Sequence, residues 1–241
     1  MGCRRTLDRC SGEHEDQHHR LDLSHAARPA RLRDPRVIRM RSMPRRSSRR
    51  TEICDAALTL AAEGGNHALT HQKIDRELGI AQGSTSYYFR TREQLVEAAI
   101  RHLTDVTRDA FATAQTERRA TEVTTATAAA SMAKYVDTLL GPRRRDALAR
   151  YALAPDAIDD EELRNALAVC LFGLESATEL MKSLGAPRPA RSARDLLSLL
   201  EGLLFDRLYG ARAAITPGTR ASLNDLRRPI ALWLEALRNE T

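Results

Sequence analysis

Two short helical patterns separated by a single glycine are the feature that most constrains how this chain can fold. The first opens at Thr70, whose hydroxyl suits a helix N-cap, and it places Ile74 on an apolar face. Gly79 supplies a tight turn, and a second pattern covers about residues 82–88, with Phe89 facing inward. Two short helices joined in this way predict a helix-turn-helix, which lays one helix in a DNA major groove. On periodicity alone, a plain helical hairpin is the favoured interpretation.

The helices on either side strengthen the DNA-binding interpretation. Apolar residues recur at helical spacing from about Ser47 until Gly64 ends the pattern, and Thr91 with Gln94 forms a capping box that opens a long helix. The first of these helices begins with a cluster of arginines, placed where DNA phosphates would lie. The cluster is Arg45, Arg46, Arg49 and Arg50, of which we predict that Arg45, Arg46 and Arg49 bind DNA.

The rest of the chain reads as helix after helix, so we predict an all-α fold. Gly141 with Pro142 stops one helix, and Thr216 with Pro217 is expected to open the last one, in which Pro229 should cause a kink or a restart. The predicted helices cover about residues 92–117, 122–140, 143–153, 160–184, 191–211 and 218–238.

The positive charge is concentrated at the N-terminus. The net charge is +6, yet residues 1–50 hold 14 Arg and 6 Asp or Glu, which leaves the other 191 residues at −2. Residues 1–44 show no apolar periodicity, so we expect a disordered basic extension. Met40 and Met43 stand just before the ordered pattern, so translation starting there is the alternative. The expected organisation is therefore this extension, a helix-turn-helix domain over 45–90, and a helical domain over 91–241.

The residues from Leu69 to Leu95 resemble the TetR family of bacterial repressors. The stretch Gly79-Ile80-Ala81-Gln82-Gly83-Ser84-Thr85-Ser86-Tyr87-Tyr88-Phe89-Arg90-Thr91-Arg92-Glu93-Gln94-Leu95 fills the family pattern of a Gly-hydrophobic turn, aromatic residues ending in Phe, and a charged helix start. The resemblance covers about 50 residues, and it implies an N-terminal three-helix DNA-binding domain followed by a larger helical domain for ligand binding and dimerisation.

Carried over position by position, the resemblance implies two sets of DNA contacts. Hydroxyls and arginine suit phosphate oxygens, and Gln can pair with both N6 and N7 of adenine. The implied phosphate contacts are Thr70, His71, Tyr87 and Arg92. The implied approaches to base edges are Gln72, Gln82, Gly83 and Ser84.

Three positions depart from the family pattern. Ala81 replaces a common capping Ser, so we expect the following helix to lose a cap worth roughly 1 kcal/mol. Ser86 replaces the first tyrosine of the family's aromatic run, which puts the DNA contact usual for that tyrosine in doubt. Asp75 replaces a usual Ala and would repel DNA unless it faces away. These departures keep open the alternative that the fold is retained without DNA recognition.

The helices after residue 91 carry no comparable motif, so their functions are predicted from residue character alone. Apolar, adaptable side chains on the middle helices are candidates for a ligand pocket, although a plain core explains them too. The pocket candidates are Phe111, Met132, Tyr135, Tyr151, Phe172 and Met181.

The helix at 191–211 is apolar well beyond a single stripe, so it must be buried on more than one side. We expect it to form a dimer interface with the last helix, burial within one chain being the alternative. The predicted interface residues are Leu196, Leu200, Leu203, Leu204, Trp233 and Leu237.

The predicted function is a transcriptional regulator, most simply a repressor, that works as a cytoplasmic homodimer. It binds a palindromic double-stranded DNA operator and is released by a small-molecule effector that the sequence does not identify. An enzyme is disfavoured because no phosphate-binding loop, nucleophile motif or HExxH stands in the chain. No metal site, cofactor, catalytic residue or membrane association is predicted either.

Overall fold

The computed structural model describes residues 46–116 and 123–240, with side chains from 48 to 110 and from 123. Within these ranges it contains ten α-helices, two short 3-10 turns and no strand. The extension at 1–44, Arg45, and the side chains of Arg46 and Phe111 lie outside the described residues. The helices are α1 Arg46–Gly64, α2 His71–Glu77, α3 Ser84–Tyr88, α4 Arg92–Thr116, α5 Thr125–Leu140, α6 Arg144–Leu153, α7 Glu161–Val169, α8 Leu174–Ser183, α9 Pro189–Tyr209 and α10 Arg220–Arg238.

The first three helices, here called the head, pack around a small apolar core. Ile53 and Leu58 of α1, Ile74 of α2, Phe89 after α3 and Leu95 of α4 are all buried. Thr70 caps α2 by accepting a hydrogen bond from the N–H of Lys73 (3.3 Å). The predicted positions of the cap at Thr70 and of the inward-facing Phe89 are therefore confirmed.

The helices α4 to α10, here called the body, pack on one another and against the head. Helix α1 packs on α4 and α6, while α5 packs on α10, and α8 on α9. Because α1 packs on both α4 and α6, the head contacts the body directly. No helix in the described part of the chain is long and apolar enough to cross a membrane.

The predicted helix over 160–184 is wrong as a single element. The chain leaves α7 after Val169 and enters α8 at Leu174, and in between Leu171 and Phe172 turn into the core. The hydroxyl of Tyr135 on α5 donates to the carbonyl oxygen of Leu171 (2.7 Å), which holds the break in place. This tertiary hydrogen bond replaces one that a continuous helix would have made.

The last helix also differs from its prediction. Its N-cap is Thr219, whose hydroxyl accepts from the N–H of Ser222 (3.1 Å), rather than the Thr216–Pro217 pair. Pro229 lies inside α10, which continues to Arg238 as one helix without a restart.

Candidate nucleic-acid interface

Helix α3 is held against α2 by the buried carboxylate of Asp75. One carboxylate oxygen accepts from the N–H of Gly83 (2.7 Å), and the other accepts from the N–H (2.8 Å) and the hydroxyl (2.7 Å) of Thr85. Burial raises the pKa of this carboxyl, but the hydrogen bonds from Thr85 and Gly83 outweigh that effect, so the pKa lies below its ordinary 3.8.

This arrangement bears on two of the departures from the family pattern. Asp75 is only 3% exposed and faces α3, so of the two alternatives left open by the sequence it takes the one in which the acid faces away from DNA. The cap that Ala81 cannot supply is replaced by the Asp75 carboxylate. The sequence alone had identified Asp75 and Ala81 as two separate departures from the family pattern, without indicating that one compensates for the other.

The glycines of this segment adopt the left-handed conformations for which glycine is needed. Gly79 in the turn has φ +60°, and Gly83 at the start of α3 has φ +88°. A side chain at Gly83 would meet no atom within 4 Å, so the backbone conformation, rather than lack of space, calls for glycine there.

The side chains predicted to approach base edges lie at the surface of α2 and α3. Gln72 and Gln82 are exposed, and Ser84 is half-buried. The hydroxyl of Ser84 donates to the carbonyl oxygen of Ala81 (2.5 Å), which leaves its lone pairs for an incoming donor. Gly83 is exposed, but its N–H is already bonded to Asp75.

The predicted phosphate contacts fall into two groups. Tyr87 is 66% exposed, and the half-buried Arg49 pairs with Glu52 (2.6 Å) near the start of α1. Thr70 is exposed at the start of α2, and His71 lies beside it with its Nε2 atom donating to the carbonyl oxygen of Phe89 (2.7 Å). Thr70, His71 and Tyr87 therefore lie on α2 and α3 themselves, and Arg49 lies on α1.

Arg92 is the member of the predicted DNA-binding set that the structure places elsewhere. Its guanidinium binds Asp156 of the body (2.7 Å) and the carbonyl oxygen of Asn66 in the head (3.0 Å). Through these two partners Arg92 connects the body to the head.

Two further arginines lie at the same surface: Arg50, the fourth member of the arginine cluster, and Arg90, which the sequence pattern did not single out. An open cleft of about 450 Å³ is lined by Arg50, Tyr87, Tyr88 and Arg90. Arg50 donates to the carbonyl oxygen of Tyr88 (2.8 Å) and lies over the Phe89 ring at 4.2 Å, so it fixes the end of α3. Arg90 is exposed. Its position directly after the buried Phe89 was the signal available in the sequence.

The pocket candidates separate into two places in the body. Phe172 and Met181 are buried, Met132 and Tyr135 are half-buried, and the Tyr135 and Phe172 rings meet at 6.0 Å. Tyr151 instead contacts the rings of Phe205 (5.7 Å) and Tyr209 (6.0 Å), which are exposed on α9. Tyr151 therefore does not join the interior set.

The predicted dimer-interface set also requires correction. Five of its six side chains are at most 6% exposed in the single chain, so they form the chain's own core: Leu196, Leu200, Leu203, Leu204 and Leu237. Trp233 is 42% exposed. The other large apolar side chains exposed on α9 and α10 are Phe205, Tyr209 and Leu232.

Comparison with known proteins agrees with this geometry. Residues 53–99 match the family described as bacterial regulatory proteins, tetR family, and residues 123–229 match the tetracyclin repressor-like C-terminal domain. The chain belongs to the TetR family. The first match covers the DNA-binding segment, and the second covers most of the body, so this TetR-family chain contains both characteristic parts.

The curated relatives resemble mainly the head. The HTH-type transcriptional regulator BetI of Escherichia coli is 41% identical over 64 residues, which is 27% of this chain. The match spans 33% of BetI, about a third of that protein's length.

Solved structures resemble the fold over most of the chain. A TetR-family member from Streptomyces coelicolor has a TM-score of 0.56 at 22% identity, covering 79% of this chain and 98% of its own. A regulator from Saccharomonospora viridis in complex with choline has a TM-score of 0.61 at 18% identity, covering 78% and 96%. The multidrug binding protein EbrR, complexed with imidazole, has a TM-score of 0.53 at 23% identity, covering 79% and 96%.

Proposed function

We propose that this TetR-family regulator acts as a homodimer that binds a palindromic operator and leaves it when a small molecule binds the body. The observation that carries the proposal is the surface formed by α2 and the start of α3, where Gln72, Gln82 and Ser84 lie and where Asp75 holds α3 from its buried side. Repression follows from an operator that overlaps a promoter, and release restores transcription.

The chemistry of that face suits DNA in two ways. An exposed glutamine can pair with N6 and N7 of adenine, and each such contact is worth about 1–3 kcal/mol of discrimination. Tyr87, Arg90 and Arg49 around it would contact phosphates, which position the helix without reading sequence. Arg92 is left out of this proposal because Asp156 binds it.

Dimerisation is supported by the apolar side chains left exposed on α9 and α10. Phe205 and Tyr209 are each 53% exposed and lie one turn apart on α9, while Leu232 and Trp233 are exposed on α10. Grouped apolar side chains on two long helices are typical of a subunit interface. In a two-fold dimer, the two heads could then meet half-sites about one helical turn apart or a multiple of it.

The effector is proposed to bind within the body, near Met132, Tyr135, Phe172 and Met181. The pairing of Tyr135 with Phe172 offers aromatic faces, which attract cations. The S. viridis regulator is described in complex with choline, and EbrR with imidazole. Choline and imidazole are therefore the first compounds to test by thermal shift, since a ligand that binds the native state raises its melting temperature.

The test of DNA binding compares two amide-to-alanine variants. Gln82→Ala removes a proposed base contact, and Asn165→Ala removes an exposed amide from α7 in the body. Duplexes are first selected by the wild-type protein from a random-sequence pool, and affinities are measured by fluorescence anisotropy. We expect Gln82→Ala to weaken binding to the selected duplex by about 5-fold to 150-fold per half-site, with little effect on random DNA.

Asn165→Ala should bind like the wild type. The proposal fails if the wild type enriches no sequence from the pool, or if Gln82→Ala binds the selected duplex as tightly as Asn165→Ala does. A dimer that enriches no sequence would point instead to a fold retained without DNA recognition.

A further inference from the structure

We propose that Asp75 is the positioning residue that sets the orientation of α3, and through it the sequence preference of the protein. The inference rests on the proposed DNA-binding function and concerns a residue that touches no DNA, because its side chain is buried behind α3. It assigns the choice of operator partly to α2.

The first step is that α3 cannot cap itself. It has five residues, from Ser84 to Tyr88, and its N-cap Gly83 has no side chain that could accept a hydrogen bond. The first N–H groups of any helix have no partner within that helix, and in a helix of five residues these groups are most of its N–H groups. Left unpaired, they would allow the start of α3 to fray or to rotate.

The second step is that Asp75 pairs with these groups from outside the helix. Its two carboxylate oxygens accept from the N–H groups of Gly83 (2.7 Å) and Thr85 (2.8 Å) and from the Thr85 hydroxyl (2.7 Å). Between these two, the N–H of Ser84 donates to the carbonyl oxygen of Ala81 (3.0 Å). Every N–H from Gly83 to Thr85 therefore has a partner before any DNA is present.

The third step is that the same residue also fixes the turn. The backbone carbonyl oxygen of Asp75 accepts from the N–H of Ile80 (2.9 Å), at the end of the turn between the two helices. One residue of α2 thus holds both the turn and the start of α3. A buried carboxylate is tolerated only with donors of this kind, so the three hydrogen bonds restrict its position strongly.

The fourth step links orientation to readout. Gln82 and Ser84 flank Gly83, whose N–H lies 2.7 Å from Asp75, so a rotation of the helix start moves both side chains. Bidentate contacts with base edges depend on direction, whereas contacts with phosphates tolerate a shift. Loss of Asp75 should therefore reduce discrimination between sequences more than it reduces overall attraction to DNA.

The experiment uses Asp75→Ala, Asp75→Asn and, as the matched control, Asp159→Ala, which removes an exposed acid from the body. Asp75→Asn keeps the volume of the side chain, but its NH₂ group would face an N–H donor and could not accept a hydrogen bond from it. This variant replaces Asp75→Ala in the test if Asp75→Ala fails to fold. In the DNA-free protein, amide hydrogen exchange is measured by NMR at Gly83 and Thr85. We expect exchange at these two amides to accelerate at least about 10-fold in both Asp75 variants, and not in Asp159→Ala.

The second measurement is the ratio of affinities for the wild-type-selected duplex and a random duplex. We expect this ratio to fall at least about 10-fold in the Asp75 variants, while affinity for the random duplex changes less than about 3-fold. Adding Ala81→Ser to Asp75→Ala supplies a capping hydroxyl close to the start of α3, and it should restore part of the ratio. A general loss of stability would not be repaired in this selective way.

The two proposals fail separately. If the wild type does not distinguish the two duplexes, the proposed DNA function is wrong, and the claim that Asp75 sets sequence preference is lost with it. If the wild type does distinguish them, unchanged exchange at Gly83 and Thr85 or an unchanged affinity ratio in the Asp75 variants overturns the inference while leaving the function intact.

Discussion

Trp233 offers a quantitative test of the proposed dimer. Tryptophan carries up to about 250 Å² of surface. The 42% of Trp233 that is exposed in the single chain is therefore about 100 Å². At about 25 cal/mol per Å², covering this surface in a dimer contributes about 2.5 kcal/mol per copy and about 5 kcal/mol for both. Ordering of side chains reduces that figure, so we expect Trp233→Ala to weaken dimerisation by about 2–4 kcal/mol.

The measurement is sedimentation velocity over a range of protein concentrations. The expected effect is a rise in the dimer Kd of about 30-fold to 800-fold. Ile158→Ala is the control, because Ile158 is an apolar residue that is 64% exposed away from α9 and α10. The reasoning is refuted if Trp233→Ala dimerises as tightly as the wild type, or if Ile158→Ala weakens the dimer as much.

Three further predictions concern the head. Arg92→Ala should lower the melting temperature, because it removes the contact with Asp156, and should leave the affinity for random DNA near the wild-type value. Arg90→Ala should instead weaken binding to all duplexes alike. Thermal melting measures the first effect and fluorescence anisotropy the second. The Ser84 hydroxyl donates its proton to a backbone carbonyl oxygen, so toward DNA it can only accept a hydrogen bond. Ser84→Ala should therefore relax the preference for an adenine or cytosine amino group at one base pair of each half-site. Repeating the selection from the random-sequence pool with this variant measures the change. The pKa of Asp75 is lowered on folding, so its stabilising effect is complete above 3.8 and is lost as the pH falls; Asp75→Asn should make acid unfolding less steep.

The sequence predicted the local features of the head well because those features depend on neighbouring residues. Thr70 at its cap, Gly79 in its turn and Phe89 in the core each follow from patterns a few residues long. The partners of Asp75 and Arg92 were missed because they are distant in sequence. Thr85 is ten residues from Asp75, and Asp156 is 64 residues from Arg92, so no local pattern indicates either contact.

In the body, the sequence identified which residues are buried but not which part of the protein covers them. Leu200 and Leu204 are buried as their spacing requires, yet they pack within the chain rather than against a second copy. Helical periodicity indicates that a side chain is buried, but it does not distinguish burial within one chain from burial against a second copy. The break after α7 was hidden for a similar reason, since Leu171 and Phe172 continue an apolar run and only Gly173 interrupts it.

Ion pairs at the junction of head and body give salt a second place to act on this protein, besides the contacts with DNA phosphates. Asp55 of α1 pairs with Arg145 of α6 (3.3 Å) across the junction. Within the body, Arg92 pairs with Asp156 (2.7 Å) and also binds the carbonyl oxygen of Asn66 in the head, and the side chains of both ion pairs are partly exposed. Charges of this kind are screened over about 8–10 Å at physiological salt. Added salt should therefore loosen the attachment of the head while it displaces the protein from phosphates. The steepness of binding against salt concentration would then exceed what the phosphate contacts alone produce.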